Sequence, residues 1–192
     1  MARSKEFDPE VALQQALELF WERGYEATSM ADLVERLGLA RASIYATFGG
    51  KRELYLKALE RYLEQGDVIE RLSQPGPALP AVQAFLDSYV AEILADDLRR
   101  GCMVVNTAVE FASRDAIVLA KVVTSWAELE TALAGTLIRA RAQGEIPASK
   151  DPQALARFLL VLLQGLRVLG RADPDPRRLR DAVEQAMTTV QI

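Results

Sequence analysis

The chain has 192 residues, half of them hydrophobic and 26% charged, with a net charge of −4. That is enough for a sizeable core, in one large domain or a small domain joined to a larger one. It holds no histidine and one cysteine, Cys102, which excludes an internal disulfide, a Cys/His metal site and histidine-based acid–base catalysis; no cofactor is expected. The N-terminal MARSKEFDPE lacks the apolar stretch of a secretion signal, and the longest purely apolar run, Phe158 to Leu163, is too short to span a bilayer. The reading is a cytoplasmic protein without a membrane partner.

No strand-like alternation persists, and proline and glycine fall between segments of helical spacing, so the chain reads as all-α with about nine helices. Asp8 caps a first helix opened by Pro9, with Leu13, Ala16, Leu17 and Phe20 on one face and Gly24 as its stop. Thr28 or Ser29 caps a short second helix carrying Ala31, Leu33, Val34 and Leu37, which Gly38 ends. A third runs from about Ala40 to Phe48 and closes at Gly49-Gly50; a fourth begins near Lys51. The stretch SQPGPALP, 73–80, is the clearest connection, and further helices are expected over about 81–97, 102–112, 115–143, 152–169 and 176–190.

Two short helices joined by a glycine-containing turn, Thr28 to Phe48, have the form of a helix-turn-helix. At about 100° per residue, Ile44 and Phe48 share the inward face of the second helix. Ala42, Ser43 and Ala46 point outward, with Thr47 on the flank. Such a small, weakly polar face can sit deep in a major groove, where serine and threonine meet bases or phosphates and alanine a thymine methyl. Arg41 lies at the helix N-terminus, where base edges are usually reached, and Lys51 opens the next helix, whose amides favour a phosphate. From Arg36 to Lys57 five basic residues face one acid, Glu53, so an acidic chain carries a local charge of +4 there. Helix pairs of this kind also occur in proteins that never touch DNA, so a helical ligand-binding or protein-interaction module without sequence-specific DNA binding is the competing reading.

The stretch Gly24 to Leu59, GYEATSMADLVERLGLARASIYATFGGKRELYLKAL, resembles the N-terminal domain of the TetR family of bacterial regulators. The matching features are Gly-Tyr after the first helix, the Thr-Ser cap, Met-Ala-x-Leu, Gly-Leu in the turn, Ser-Ile-Tyr-x-x-Phe and Lys-x-x-Leu. RAQGEIP, 141–147, before an apolar helix is also similar to the family. ATFGGK paired with GCMVVNTAVE, 101–110, resembles a branch whose effectors are mostly unassigned. The resemblance implies a helix-turn-helix DNA-binding domain at 1–52 and a larger ligand-binding and dimerisation bundle at 53–192. It implies a homodimer, double-stranded operator DNA as partner, and a small, mostly apolar effector. The function implied is a ligand-responsive regulator, a repressor, on a palindromic operator, and not an enzyme. Carried over by position, Thr28, Tyr45 and Lys51 would hold phosphates, with Ser29 beside Thr28 at the same helix start, and Arg41, Ala42, Ser43 and Ala46 would face base edges. Where many members carry a histidine before the helix-ending phenylalanine, this chain has Thr47.

Asn106, Thr107 and Glu110 place polar groups in an apolar helix. They read either as a solvated or hydrogen-bonded face or as anchors in an apolar effector pocket with Met103, Trp126 and Gln164. The apolar surface of the last two helices exceeds what one bundle covers, which makes Phe158, Leu162, Leu166, Leu169, Val183 and Met187 the expected dimer face. Cys102, with no second cysteine to resolve an oxidised form, reads as a small buried hydrophobe rather than a redox sensor.

Overall fold

The computed structural model describes residues 7–112 and 114–191. They form α1 (Pro9–Arg23), α2 (Met30–Leu37), α3 (Arg41–Phe48), α4 (Lys51–Glu64), α5 (Val68–Leu72), α6 (Ala78–Ala95), α7 (Met103–Phe111), α8 (Ala116–Ala142), α9 (Pro152–Ala172) and α10 (Pro176–Gln191), and no strand among the described residues. The all-α reading holds. All the expected helices are present, and α5 is added; its five residues, VIERL, are too few to show a period.

The chain divides into two compact units, Met1–Gly66 with Asn106–Leu119, and Asp67–Val105 with Ala120–Ile192. The boundary expected after residue 52 is therefore corrected. α4 belongs to the first unit because it buries Leu54, Tyr55, Ala58 and Leu59 there. The chain also returns to that unit for the end of α7 and the start of α8.

In the first unit, Asp8 accepts a hydrogen bond from the Glu10 amide at 2.8 Å and fixes the start of α1. Ser29 and Asp32 close a reciprocal capping box on α2. Left-handed glycines end α2 and α3, Gly38 at φ 63° and Gly49 at φ 92°, a conformation that costs a residue with a Cβ. The core includes Ala16, Leu17, Phe20, Leu33, Leu37, Ile44 and Phe48, which helical spacing marks, and also Ala12, Leu19, Leu54, Tyr55, Ala58 and Leu59; of the other residues so marked, Leu13 and Val34 are half-buried and Ala31 is exposed. Burial of each large side chain contributes about 1.5–3 kcal/mol.

The second unit packs α6, α9, α10 and the C-terminal part of α8 around Phe85, Leu86, Leu133, Leu137, Leu159, Leu163, Leu179 and Val183. α6 and α9 are long and apolar enough to cross a membrane by length and composition, yet each gives a face to this core. α9 buries Leu155, Leu159, Leu163 and Leu166 and exposes Phe158, Val161, Val168 and Leu169. Half of the expected dimer face is thereby corrected. Leu166, Val183 and Met187 are 2–4% exposed and belong to the core of their own unit, whereas Phe158 and Leu169 are exposed and Leu162 is half-buried.

Candidate nucleic-acid interface

α3 turns Ile44 and Phe48 into the core and leaves Arg41, Ala42, Tyr45 and Ala46 exposed, with Ser43 and Thr47 half-buried. The Tyr45 ring stands outside the core, with the Arg41 guanidinium 5.8 Å from its centroid. Gly50 allows the tight passage into α4: its φ is +140°, and a Cβ there would lie 3.3 Å from Tyr45 Cε1. The Lys51 ammonium sits 4.2 Å from the centroid of the Tyr25 ring, a cation–π seat.

The three helix starts in this region are not alike. α2 is closed by Ser29, whose Oγ accepts from the Asp32 amide at 3.1 Å while the Asp32 carboxylate accepts from the Ser29 amide at 2.7 Å. The Ser29 hydroxyl also donates to that carboxylate, and this bond foremost, with the Ser29 amide's, holds the Asp32 carboxyl below its ordinary pKa. α3 and α4 begin at Ala40 and Gly50 with no side-chain cap. Their first-turn amides stay available to an anion, and the helix dipole favours one there.

Two placements differ from the sequence reading. Thr28 is fully buried and its hydroxyl donates to the Gly24 carbonyl at 2.7 Å, so its side chain fixes the chain between α1 and α2 and does not present itself to a phosphate. Ser29 is exposed, but its hydroxyl serves the capping box. The local charge is also thinner than its count. Arg36 pairs with Glu18 at 3.2 Å, and Arg52 grips Asp115 through Nε at 2.6 Å and Nη2 at 3.1 Å. That grip, with the amides of Val118 and Ile117, holds the Asp115 carboxyl at about 2. Arg41, Lys51 and Lys57 have no carboxylate partner among the described residues.

Behind this surface Tyr25, Tyr55 and Phe111 cluster with centroids 4.9–5.2 Å apart, Tyr55 stacked on Phe111 and Tyr25 edge-on to Tyr55, and Phe20 lies 5.0 Å from Tyr55. The Tyr55 and Thr107 hydroxyls bond at 2.8 Å, and burial pushes the Tyr55 phenol pKa up. The Glu110 carboxylate accepts from the Tyr25 amide at 2.7 Å. Thr107 and Glu110, expected as pocket anchors, are therefore spent on the first unit; Asn106 belongs to the same unit and is half-buried.

Met103, Trp126 and Gln164 lie in the second unit. Met103 is buried, Gln164 bonds its own helix at Leu160 O, and the shielded Trp126 Nε1 has no hydrogen-bond partner among the described residues. A groove of about 560 Å³ in that unit is lined by other residues, among them Ile69, Leu72, Val123, Thr131, Gly135 and Arg139. The sequence reading missed it because one wall is α5. The signal available was the small residues Ala127, Thr131 and Gly135, which keep one face of α8 low. Cys102 is buried in the second unit.

A family model described as "Tetracyclin repressor-like, C-terminal domain" matches residues 78–190, and one described as "Bacterial regulatory proteins, tetR family" matches 12–58. The chain belongs to the TetR family. This TetR-family chain is a DNA-binding transcriptional regulator and not an enzyme. It is 35% identical to the uncharacterized HTH-type transcriptional regulator YezE of Bacillus subtilis, over 99% of this chain and 100% of that protein. It is 33% identical to the HTH-type transcriptional repressor ComR of Escherichia coli, over 88% of this chain and 82% of that one. Among solved structures, the TetR-family regulator CifR, a cysteine mutant complexed with a 26-bp double-strand operator DNA, superposes with a TM-score of 0.87. It is 31% identical and the match covers 98% of this chain and 100% of that one.

Proposed function

We propose that the chain is an effector-responsive repressor that binds a near-palindromic operator as a homodimer in the cytoplasm. The observation that carries the DNA side of this reading is the pairing of an exposed, small-residue α3 face with two uncapped helix starts, α3 and α4. Arg41, Ala42, Ser43 and Ala46 meet base edges, while Tyr45, Thr47 and Lys51 hold the flanking backbone, as such helices do in a major groove. Ser29 stays at the margin of this face, and Thr28 supports it from within. Two α3 helices then read half-sites about 34–36 Å apart, one turn of DNA.

The dimer reading rests on α9. Phe158, Val161, Val168 and Leu169 form an exposed apolar stripe with the half-buried Leu162, of the kind a second copy covers. The effector reading is supported by the groove between α5 and α8, large enough for a small, mostly apolar molecule. Such a ligand acts by binding one arrangement of the dimer better than another. Relatives described as repressors support that direction of control.

Footprinting of purified protein on the DNA flanking its own gene tests the proposal. The expected result is one protected palindrome at nanomolar protein, with two protomers per site. Equal affinity for unrelated sequences, set only by salt, would remove it.

A further inference from the structure

We infer that Glu110 is a positioning residue for operator binding: through the Gly24–Tyr25 corner it holds the ammonium of Lys51 where a phosphate is met. The inference rests on the reading of Lys51 as a backbone contact. Glu110 stands on α7, 85 positions along the chain from Tyr25, yet its Oε2 accepts the Tyr25 amide at 2.7 Å. A Cβ at position 24 would overlap Glu110 Oε1, and Gly24 has φ +85°. The corner is therefore shaped to admit a carboxylate against bare backbone.

Two links lead from that corner to the DNA-facing side. The Tyr25 ring, wedged against Tyr55 and Phe111 at 5.0 and 4.9 Å, carries Lys51 Nζ at 4.2 Å on its face. The Gly24 carbonyl accepts the Thr28 hydroxyl, one residue before the Ser29 cap of α2. Removing the acceptor strands a half-buried amide and frees the corner to rotate, which moves the ring beneath the lysine. Arg52, next to Lys51, is turned away to Asp115, so of that pair only Lys51 has no carboxylate partner among the described residues. α7 is one continuous helix whose residues Met103–Val105 group with the other unit.

The test is a double-substitution cycle of Glu110→Ala and Lys51→Ala, reading operator affinity against salt concentration. Lys51→Ala alone should lower affinity and reduce the salt slope by about one; no effect removes the reading of Lys51 as a backbone contact, on which the inference rests. Glu110→Ala, though far from any phosphate, should lower affinity roughly tenfold or more and reduce the slope by a similar amount. The double variant should be no worse than Lys51→Ala. A stabilising residue without a positioning role would lower the active fraction and leave the slope unchanged. An unchanged slope, or additive effects, overturns the inference while sparing the Lys51 reading. Glu110→Gln, which keeps a carbonyl acceptor for the Tyr25 amide, should restore most of the slope; failure to do so also counts against it. If Glu110→Ala does not fold, Glu110→Met keeps the side chain's length without an acceptor and takes its place in the same cycle.

Discussion

The starts of α2 at Met30 and α3 at Arg41 lie eleven residues apart in one small bundle and are finished differently. At α2, Ser29 and Asp32 satisfy each other's amides. At α3, Ala40 offers no acceptor, and the first turn is left to whatever comes from outside. A helix start that is satisfied internally serves the fold; one left open has its hydrogen bonds to make elsewhere. The same contrast divides the two sides of α9, where Leu163 and Leu166 are spent in the core and Phe158 and Val161 are not.

Substitutions on the two sides of each pair should separate accordingly. Leu166→Ala should cost about 2–5 kcal/mol in urea unfolding. Phe158→Ser should leave the folded protomer almost as stable while shifting sedimentation towards monomer. If the two act alike, the outer stripe is core and not interface. At the helix starts, Arg41→Ala with Lys51→Ala should lower operator affinity about a hundredfold, from roughly 3 kcal/mol of lost contacts, while stability falls by only about 1 kcal/mol, from the lost cation–π seat on Tyr25. Ser29→Ala should cost about 1 kcal/mol of stability but leave affinity per folded molecule within about threefold, as fluorescence anisotropy on corrected concentrations would read.

The smallest effect is one of pH. Folding lowers the Asp115 carboxyl from 3.8 to about 2, so near pH 3 the unfolded chain binds more protons than the folded one. The Arg52–Asp115 contribution is complete above about pH 4 and disappears as pH falls towards 2. In Asp115→Asn the fall of the urea midpoint over that window should be shallower than in the unsubstituted chain. An identical acid limb would mean that the grip adds nothing to folding.

The helix-turn-helix was legible because local chemistry writes it: caps, left-handed glycines and the spacing of Ile44 and Phe48 all act within a few residues. The spending of polar groups was not. Thr28 looks like a free hydroxyl until its carbonyl partner at Gly24 is seen. Arg52 looks like a DNA contact until Asp115, 63 positions away, is beside it. Thr107 and Glu110 looked like pocket anchors because helical spacing alone does not say what a face packs against, and the chain's return to the first unit leaves no local mark. Leu166, Val183 and Met187 failed for a related reason. A helix apolar on two sides does not say which side its own chain covers.

The central claim, that the open face of α3 reads sequence, is met most directly by the Arg41→Ala, Ser43→Ala double variant, which removes two of the side chains placed at base edges. Its affinity for the footprinted operator and for a scrambled duplex should be measured at the same salt. The account predicts that the operator affinity falls to near that of the scrambled duplex, whose weak binding through Lys51 and other cations persists. A folded double variant that keeps its full preference for the operator would contradict it.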